Sequence, residues 1–383
     1  MIYCLAFLMN FTTGMLIFGF PMTAIQVFDA GVVSLGVLGM AGAGFYALVC
    51  LVSGRAADRF GSKRMISLSC VFLLLVYFSI YLVSRFWHLL AISMLFSLGA
   101  AHFWPALMKW VGEAEGKDVL RSRIGLFNVS WSAGIMLGPL VSGTLFARDF
   151  HYPFLASAAV VIVILLLLAL SRRRKDITRL SVALPGSSGD DFPPSAGFFL
   201  GLAYLANFSS WFSIGASQSL FPRLAVVLAI SPQRLGALMA MIGLSNLTMF
   251  IFLSRTRRWH YNFIWLAFFQ ILALGGMSLL ATSNHEVLFA LAFFCLGACA
   301  GMTYFSSLFY SLYGRAKKGR NSGYHEAILG LGVALGPLAG GIAARWRGLR
   351  APYLLCALVI VFVLLLQLFR LRRACIGHAG RSS

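Results

Sequence analysis

The chain has 383 residues, of which 60% are hydrophobic and 11% charged, and its net charge is +20. An ordinary soluble domain holds roughly 25% charged residues, so a water-soluble fold has no means of hiding this much apolar surface and lipid must cover it. The basic residues fall in short loops between apolar stretches, which excludes a nucleic-acid-binding domain as the origin of the charge. Inside a bilayer only helices or closed barrels satisfy every backbone polar group. The apolar stretches are long and unbroken rather than short and alternating, so the expectation is an all-α membrane protein.

In chain order, stretches of spanning length (about 20 residues) lie near 2–27, 32–53, 65–84, 88–111, 123–147, 152–171, 196–221, 234–254, 262–282, 286–313, 323–344 and 351–369. No basic residue precedes Arg55, so the basic leader of a cleavable signal is missing and Ile2 onward reads as the first span. Segment 172–195 opens with Arg172-Arg173-Arg174-Lys175, becomes rich in Gly, Ser and Pro, and reads as a linker. It separates a six-span half, 1–171, from a second, 196–371, with a tail at 372–383. Of the 31 Lys and Arg residues, 24 fall on the side that holds both ends and the linker. The positive-inside rule then places that side in the cytoplasm of a cell-membrane protein. The seven cysteines are an odd number and lie mostly in apolar spans, so no disulfide framework is expected. Cys295 and Cys299 share a helix face but read as small packing residues; neither a metal nor a cofactor is expected.

The chain repeats itself. Leu5-Ala6-Phe7-Leu8-Met9-Asn10-Phe11-Thr12-Thr13 recurs as Leu202-Ala203-Tyr204-Leu205-Ala206-Asn207-Phe208-Ser209-Ser210, an offset of 197. Gly134-Ile135-Met136-Leu137-Gly138-Pro139 recurs as Gly332-Val333-Ala334-Leu335-Gly336-Pro337, an offset of 198 shared by the weaker echo of Leu98-Gly99-Ala100 in Leu296-Gly297-Ala298. Each pair lies six spans apart, so the copies share one orientation in the membrane. Such a parallel repeat is a transporter plan with a solute site between the halves near the midplane.

After span 2 comes Gly54-Arg55-Ala56-Ala57-Asp58-Arg59-Phe60-Gly61-Ser62-Lys63-Arg64, where glycine permits a tight turn and Asp58 is suited to pairing with basic groups or a helix N-terminus. With twelve spans and two related halves, Gly54, Asp58, Arg59, Gly61, Lys63 and Arg64 resemble the motif of the major facilitator superfamily between helices 2 and 3. The resemblance implies two pseudo-symmetric six-helix bundles and a cytoplasmic gate in which Asp58 locks the outward-facing state. Gly134, Gly138 and Pro139 in span 5 resemble the family's fifth-helix motif, and Gly332, Gly336 and Pro337 repeat it in span 11. Small residues four apart let helices approach, a mid-helix proline bends them, and the association of this motif with exporters leans the reading to efflux. Span 4 lacks the arginine common in proton-coupled exporters of the family.

The resemblance also implies that spans 1, 4, 7 and 10 line the solute cavity. Their polar residues are Asn10 and Thr13; His102; Asn207, Trp211 and Gln218; and Thr303, Tyr304, Ser307 and Tyr310. Amides, hydroxyls and aromatics suit an uncharged or amphipathic organic solute, though the same groups also serve as hydrogen bonds between helices. Ionisable residues inside a membrane are functional candidates. His102 and Glu326 are therefore candidates for proton coupling, with Glu326 equally open to a gate role opposite Arg320 or Arg64. No phosphate-binding loop supports a pump, and no catalytic cluster supports an enzyme. The expected partners are a small organic solute, protons and the lipid bilayer, without nucleic acid, and the expected state is a monomer. Proton-coupled uptake of a sugar-like or other metabolite, and a non-transporting receptor or assembly factor with this fold, are the alternatives.

Overall fold

The computed structural model describes residues 1–112, 117–170, 196–256, 258–312 and 318–379. They form twelve helices: α1 (Ile2–Phe28), α2 (Val32–Phe60), α3 (Ser62–Phe78, continued by a 3₁₀ turn at Ser79–Leu82), α4 (Phe86–Gly112), α5 (Lys117–Phe146), α6 (Tyr152–Leu170), α7 (Ala196–Val227), α8 (Pro232–Arg255), α9 (Phe263–Thr282), α10 (Glu286–Leu312), α11 (Lys318–Arg347) and α12 (Ala351–Ala379). Each contains a stretch long and apolar enough to cross a bilayer. The faces that do not pack stay apolar, as at Leu48, Leu75, Leu166, Ile264 and Leu358, which is the surface lipid requires. The expected linker 172–195 lies outside the described residues.

The helices outrun the apolar stretches. α2 continues to Phe60 and takes Gly54 through Arg59 into its last turns, so the turn before α3 is confined to Gly61. Its φ of 81° and ψ of 146° are costly for any residue with a Cβ, so glycine is needed there. The segment after Gly54 contains good helix formers and no breaker, which is why helix prevails over the expected longer turn. α12 likewise runs through Arg372-Arg373-Ala374 into the segment expected to be a tail, and only residues 380–383 fall outside the described residues there.

Contacts between helices fix their directions. Gly134 meets Phe7 and Phe11, Gly138 meets Phe11 and Gly14, and the Ser142 hydroxyl donates to the Met15 carbonyl at 2.9 Å, so α1 and α5 run parallel. Gly332 meets Phe208 and Phe212, and Gly336 meets Phe212 and Ala216, so α7 and α11 run parallel too. α2 runs antiparallel to α11, with Gly36 on Pro337 and Gly330 on Ala47. Together these contacts make α1 and α7 point the same way. Packing then repeats helix by helix: α1 with α5 and α6 as α7 with α11 and α12, α2 with α4 as α8 with α10, and α3 with α6 as α9 with α12. Two seams join the halves, α2 on α11 and α5 on α8, and the six-span offset exchanges one for the other.

The register of this symmetry corrects the expected repeat in one place. The fifth and eleventh helices match at offset 198, but Phe7, Phe11 and Gly14 contact α5 as Phe208, Phe212 and Gly215 contact α11, an offset of 201 rather than 197. Phe20-Pro21 and Phe221-Pro222 share that offset. Asn10 is therefore the counterpart of Trp211, not of Asn207. A slip of four residues turns a helix by only about 40° and slides it about 6 Å, so the side-chain pattern matches almost as well one turn out of place. The weaker echo is also not a symmetry pair, because Gly99 abuts Leu73 on α3 whereas Gly297 abuts Ile242 and Ser245 on α8.

Candidate functional site

The two faces of the bundle are built differently. Call the face with both chain ends the terminal face. The ends of α1, α5, α7 and α11 and the starts of α2 and α8 lie on the opposite face, and there the halves touch backbone to backbone. A methyl group added at Gly36 would sit 2.6 Å from the Pro337 carbonyl oxygen, and one at Gly341 2.6 Å from that of Val32. The second seam has the same form: a methyl group at Gly143 would collide with the Pro232 carbonyl oxygen, and one at Gly236 with that of Pro139. Backbone oxygens have nowhere to retreat, so hydrogen is the only substituent these four positions accept in this state. Pro139 and Pro337 thus sit where each motif changes partner: Gly134/Gly138 and Gly332/Gly336 pack within their own half, and the prolines with Gly143 and Gly341 meet the other half. Across the same face Arg223 at the end of α7 donates to Asp29 at the end of α1 at 2.9 Å.

Toward the terminal face a polar cluster lies between the halves. His325 on α11 is fully buried, and its Nδ1 is 2.8 Å from Ser307 Oγ on α10. Ser307 Oγ also lies 3.1 Å from the Tyr304 carbonyl oxygen. Nε2 has no hydrogen-bond partner, and the nearest charged atom is Glu326 Oε1 at 3.9 Å. The Glu326 side chain is 54% exposed. Tyr304 stands edge-on to His325, with ring centroids 4.8 Å apart, and also packs on Trp211 of α7 and Phe250 of α8. The Trp211 indole N–H is buried without an acceptor. From the other half, Tyr46 and Cys50 of α2 lie within electrostatic reach of Glu326.

This cluster brings together Trp211, Tyr304, Ser307 and Glu326 from the residues expected at the site. Thr303 lies beside them, its hydroxyl 2.7 Å from Ser210 as a tie between α7 and α10. The others are placed elsewhere. Asn10 donates to the Trp131 carbonyl at 2.7 Å and joins α1 to α5, while Thr13 bonds back to Met9 of its own helix. Asn207 is fully buried with neither end of its amide bonded, and Gln218 is half-buried nearer the opposite face. Tyr310 holds the α8–α9 turn, accepting from Tyr261 N at 2.8 Å and donating to the Trp259 carbonyl at 3.4 Å.

His102 departs most from expectation. Its Nδ1 bonds to the Leu98 carbonyl at 2.8 Å, and it lines a cleft of about 230 Å³ between α3 and α4 with Met65, Leu68, Ser69, Phe72, Leu98 and Gly99. α4 turns this face away from Trp211 and Glu326, so His102 and Glu326 do not form one proton path here. Of the gate motif, Arg59 lies over the ring of Phe60 at 5.6 Å, Lys63 is half-buried, Arg64 is exposed, and the side chains of Gly54 and Asp58 lie outside the described residues. Tyr46 and Cys50 were missed in the sequence. They continue a stripe of small residues, Gly36, Gly39 and Ala43, in steps of three and four on the α11-facing side of α2, and that spacing is the signal that finds them.

Comparison with known proteins fits this geometry. The family model of the Major Facilitator Superfamily matches residues 2–316 and 204–378. An uncharacterised MFS-type transporter of Bacillus subtilis (strain 168), YfiS, is 26% identical over 337 residues, covering 83% of this chain and 79% of the relative. Among solved structures, a bacterial homologue of the human lysosomal transporter Spinster, in an inward-facing and occupied conformation, aligns with a TM-score of 0.77 at 16% identity over 97% of this chain and 96% of that one. The nucleoside transporter NupG aligns with a TM-score of 0.68 at 13% identity over 97% and 98%.

Proposed function

The chain belongs to the Major Facilitator Superfamily, and from that premise we propose that it is a secondary-active transporter which moves a small organic solute outward across the cell membrane by alternating access. The observation that carries this reading is the pair of matched glycine seams. They close the halves on one face by contacts that a small rotation breaks together, while the polar cluster lies on the other side of that closure. Residues 1–171 and 196–371 act as the two rocking bodies joined by the linker 172–195, in a monomer with both ends cytoplasmic. The state described is then inward-facing, with the solute reaching Trp211, Tyr304, Ser307 and Glu326 from the cytoplasm.

Rocking about a midplane site needs two interfaces that open alternately. On the opposite face the interface is Gly36–Pro337, Gly341–Val32, Gly143–Pro232 and Gly236–Pro139, helped by Asp29–Arg223. On the terminal face, the gate role of Asp58, Arg59, Lys63 and Arg64 supplies the alternate closure. Protons couple through Glu326, whose Oε1 stands 3.9 Å from His325 Nε2; His102, set in the α3–α4 cleft, has no part in this path. The test is flux in proteoliposomes of defined orientation across a solute panel, with and without an imposed pH gradient. Saturable flux that Gly341→Val suppresses is expected. A panel on which nothing moves, with Gly341→Val indistinguishable from the parent, contradicts transport and favours a scaffold that has kept the fold. Flux running inward down the proton gradient contradicts the direction.

A further inference from the structure

Glu326 is placed unlike the other carboxylates among the described residues: Asp29, Asp58, Asp118, Asp149 and Glu286 lie in turns or at the ends of helices, whereas Glu326 is eight residues into α11. An ionised group so placed is costly unless it is used. Among the described residues Glu326 has one ion-pair neighbour, His325, whose Nε2 stands 3.9 Å from Glu326 Oε1. That is too long for a hydrogen bond, and Nε2 has no other partner, so the carboxylate has no cation bonded to it. Tyr304 and Tyr46 lie within electrostatic reach of the carboxylate, and Trp211 packs on Tyr304. The carboxylate itself is half-exposed to the space between the halves.

A carboxylate without a bonded cation calls for a donor that carries positive charge. It accepts from an ammonium N–H, and aromatic rings around a cation add attraction that grows as water is excluded. An uncharged solute supplies no charge to match Glu326, and an anion is repelled by it. From this geometry we infer that the site binds a protonated organic amine with an apolar body, its N–H directed at Glu326 and its body against Tyr304, Tyr46 and Trp211. The inference deepens the transport reading by naming the class of solute and rests on it for the role of the site, but binding is measurable without flux.

The probe set is three molecules of one shape: 2-phenylethylammonium, the neutral 2-phenylethanol and the anion phenylacetate. Their binding is measured on the full-length protein in lipid nanodiscs at neutral pH, corrected for uptake by empty discs. The parent protein should bind the ammonium more tightly than the alcohol and the alcohol more tightly than the anion. Glu326→Gln should weaken the ammonium about 30-fold and leave the alcohol within about twofold. Glu326→Asp, which keeps the charge, should recover most of the preference, and an unchanged elution profile for both variants excludes misfolding as the cause. Phenylacetate binding as tightly as the ammonium, or Glu326→Gln leaving ammonium affinity unchanged, overturns the inference. Counterflow in proteoliposomes separates this from the transport reading. A protein that binds the amine through Glu326 but moves nothing upholds the site and contradicts transport. One that moves other solutes with no preference for amines does the reverse.

Discussion

The two halves share their packing and differ in their chemistry. In the first half, the place of Glu326 is taken at offset 198 by Asn128, and the place of Trp211 at offset 201 by Asn10, whose amide is spent on the Trp131 carbonyl. In the second half the same positions carry a half-exposed carboxylate and a buried indole N–H with no acceptor. At the seams, by contrast, the copies agree: a Cβ added at Gly36, Gly341, Gly143 or Gly236 would in every case collide with a carbonyl oxygen of the other half. The glycine seams are present in both copies and the mid-helix carboxylate in one.

That contrast is open to being broken. The largest effect should follow from charge at one position only. Glu326→Gln should abolish amine-dependent flux, while Asn128→Asp, its counterpart, should leave the parent's selectivity unchanged in the same proteoliposomes. If Asn128→Asp rescues Glu326→Gln, the halves are chemically interchangeable and the contrast fails. Next come the seams, where the copies should respond alike. Gly143→Val and Gly341→Val each force a side chain against a carbonyl, a clash worth about 1–3 kcal/mol, so each should shift the balance away from closure of the opposite face by about tenfold or more. Accessibility of an introduced cysteine to an impermeant reagent from that face measures the shift. Unequal effects would show that one seam alone governs closure.

Smaller effects sharpen the picture. Asp29→Asn removes the Arg223 partner across the opposite face, but Asp29 is 87% exposed. Surface pairs of this kind contribute on the order of 0.5 kcal/mol, so the accessibility change should be about twofold and should shrink in high salt. The smallest effect concerns the turns that close each half. In the α5–α6 turn the backbone N–H of His151, and then its ring, hold the Asp149 carboxyl below the usual carboxylate range. A carboxyl lowered by folding stabilises the fold above its unfolded pKa, and that contribution is lost as pH falls through the folded value. The matching α11–α12 turn is tied instead by Arg350, which donates to the Leu280 carbonyl and to Asn284, with no carboxylate in the tie. Melting curves should therefore show a slight loss of stability on strong acidification that Asp149→Asn removes. An acid response unchanged in that variant would place its origin elsewhere.

Much of the fold was legible in the sequence because bilayer length and backbone satisfaction leave few choices, and twelve apolar stretches became twelve helices. Gly134-x₃-Gly138-Pro139 and its copy were legible for the same reason, since only hydrogen fits where Phe11 and Phe212 present their carbonyls. The register of α1 against α7 was not, because four residues of slip preserve the face that a pattern reads. The site was half legible. Trp211, Tyr304, Ser307 and Glu326 converge as their polarity suggested, but polarity does not report azimuth: His102 faces α3, and Tyr310 holds a turn. Tyr46 and Cys50 were overlooked because an aromatic and a thiol in an apolar helix look like packing until α11 is laid against them.

The most direct test of the central claim is a pair of spin-label distances in a cysteine-free background. One pair, at Phe60 and Arg255, reports the terminal face between the halves, and the other, at Tyr152 and Trp346, reports the opposite face. Introducing Gly341→Val should lengthen the second distance and shorten the first, as two bodies rocking about a common middle must. If both distances lengthen together, or the second changes while the first stays fixed, the halves do not rock as units and alternating access about Glu326 is contradicted.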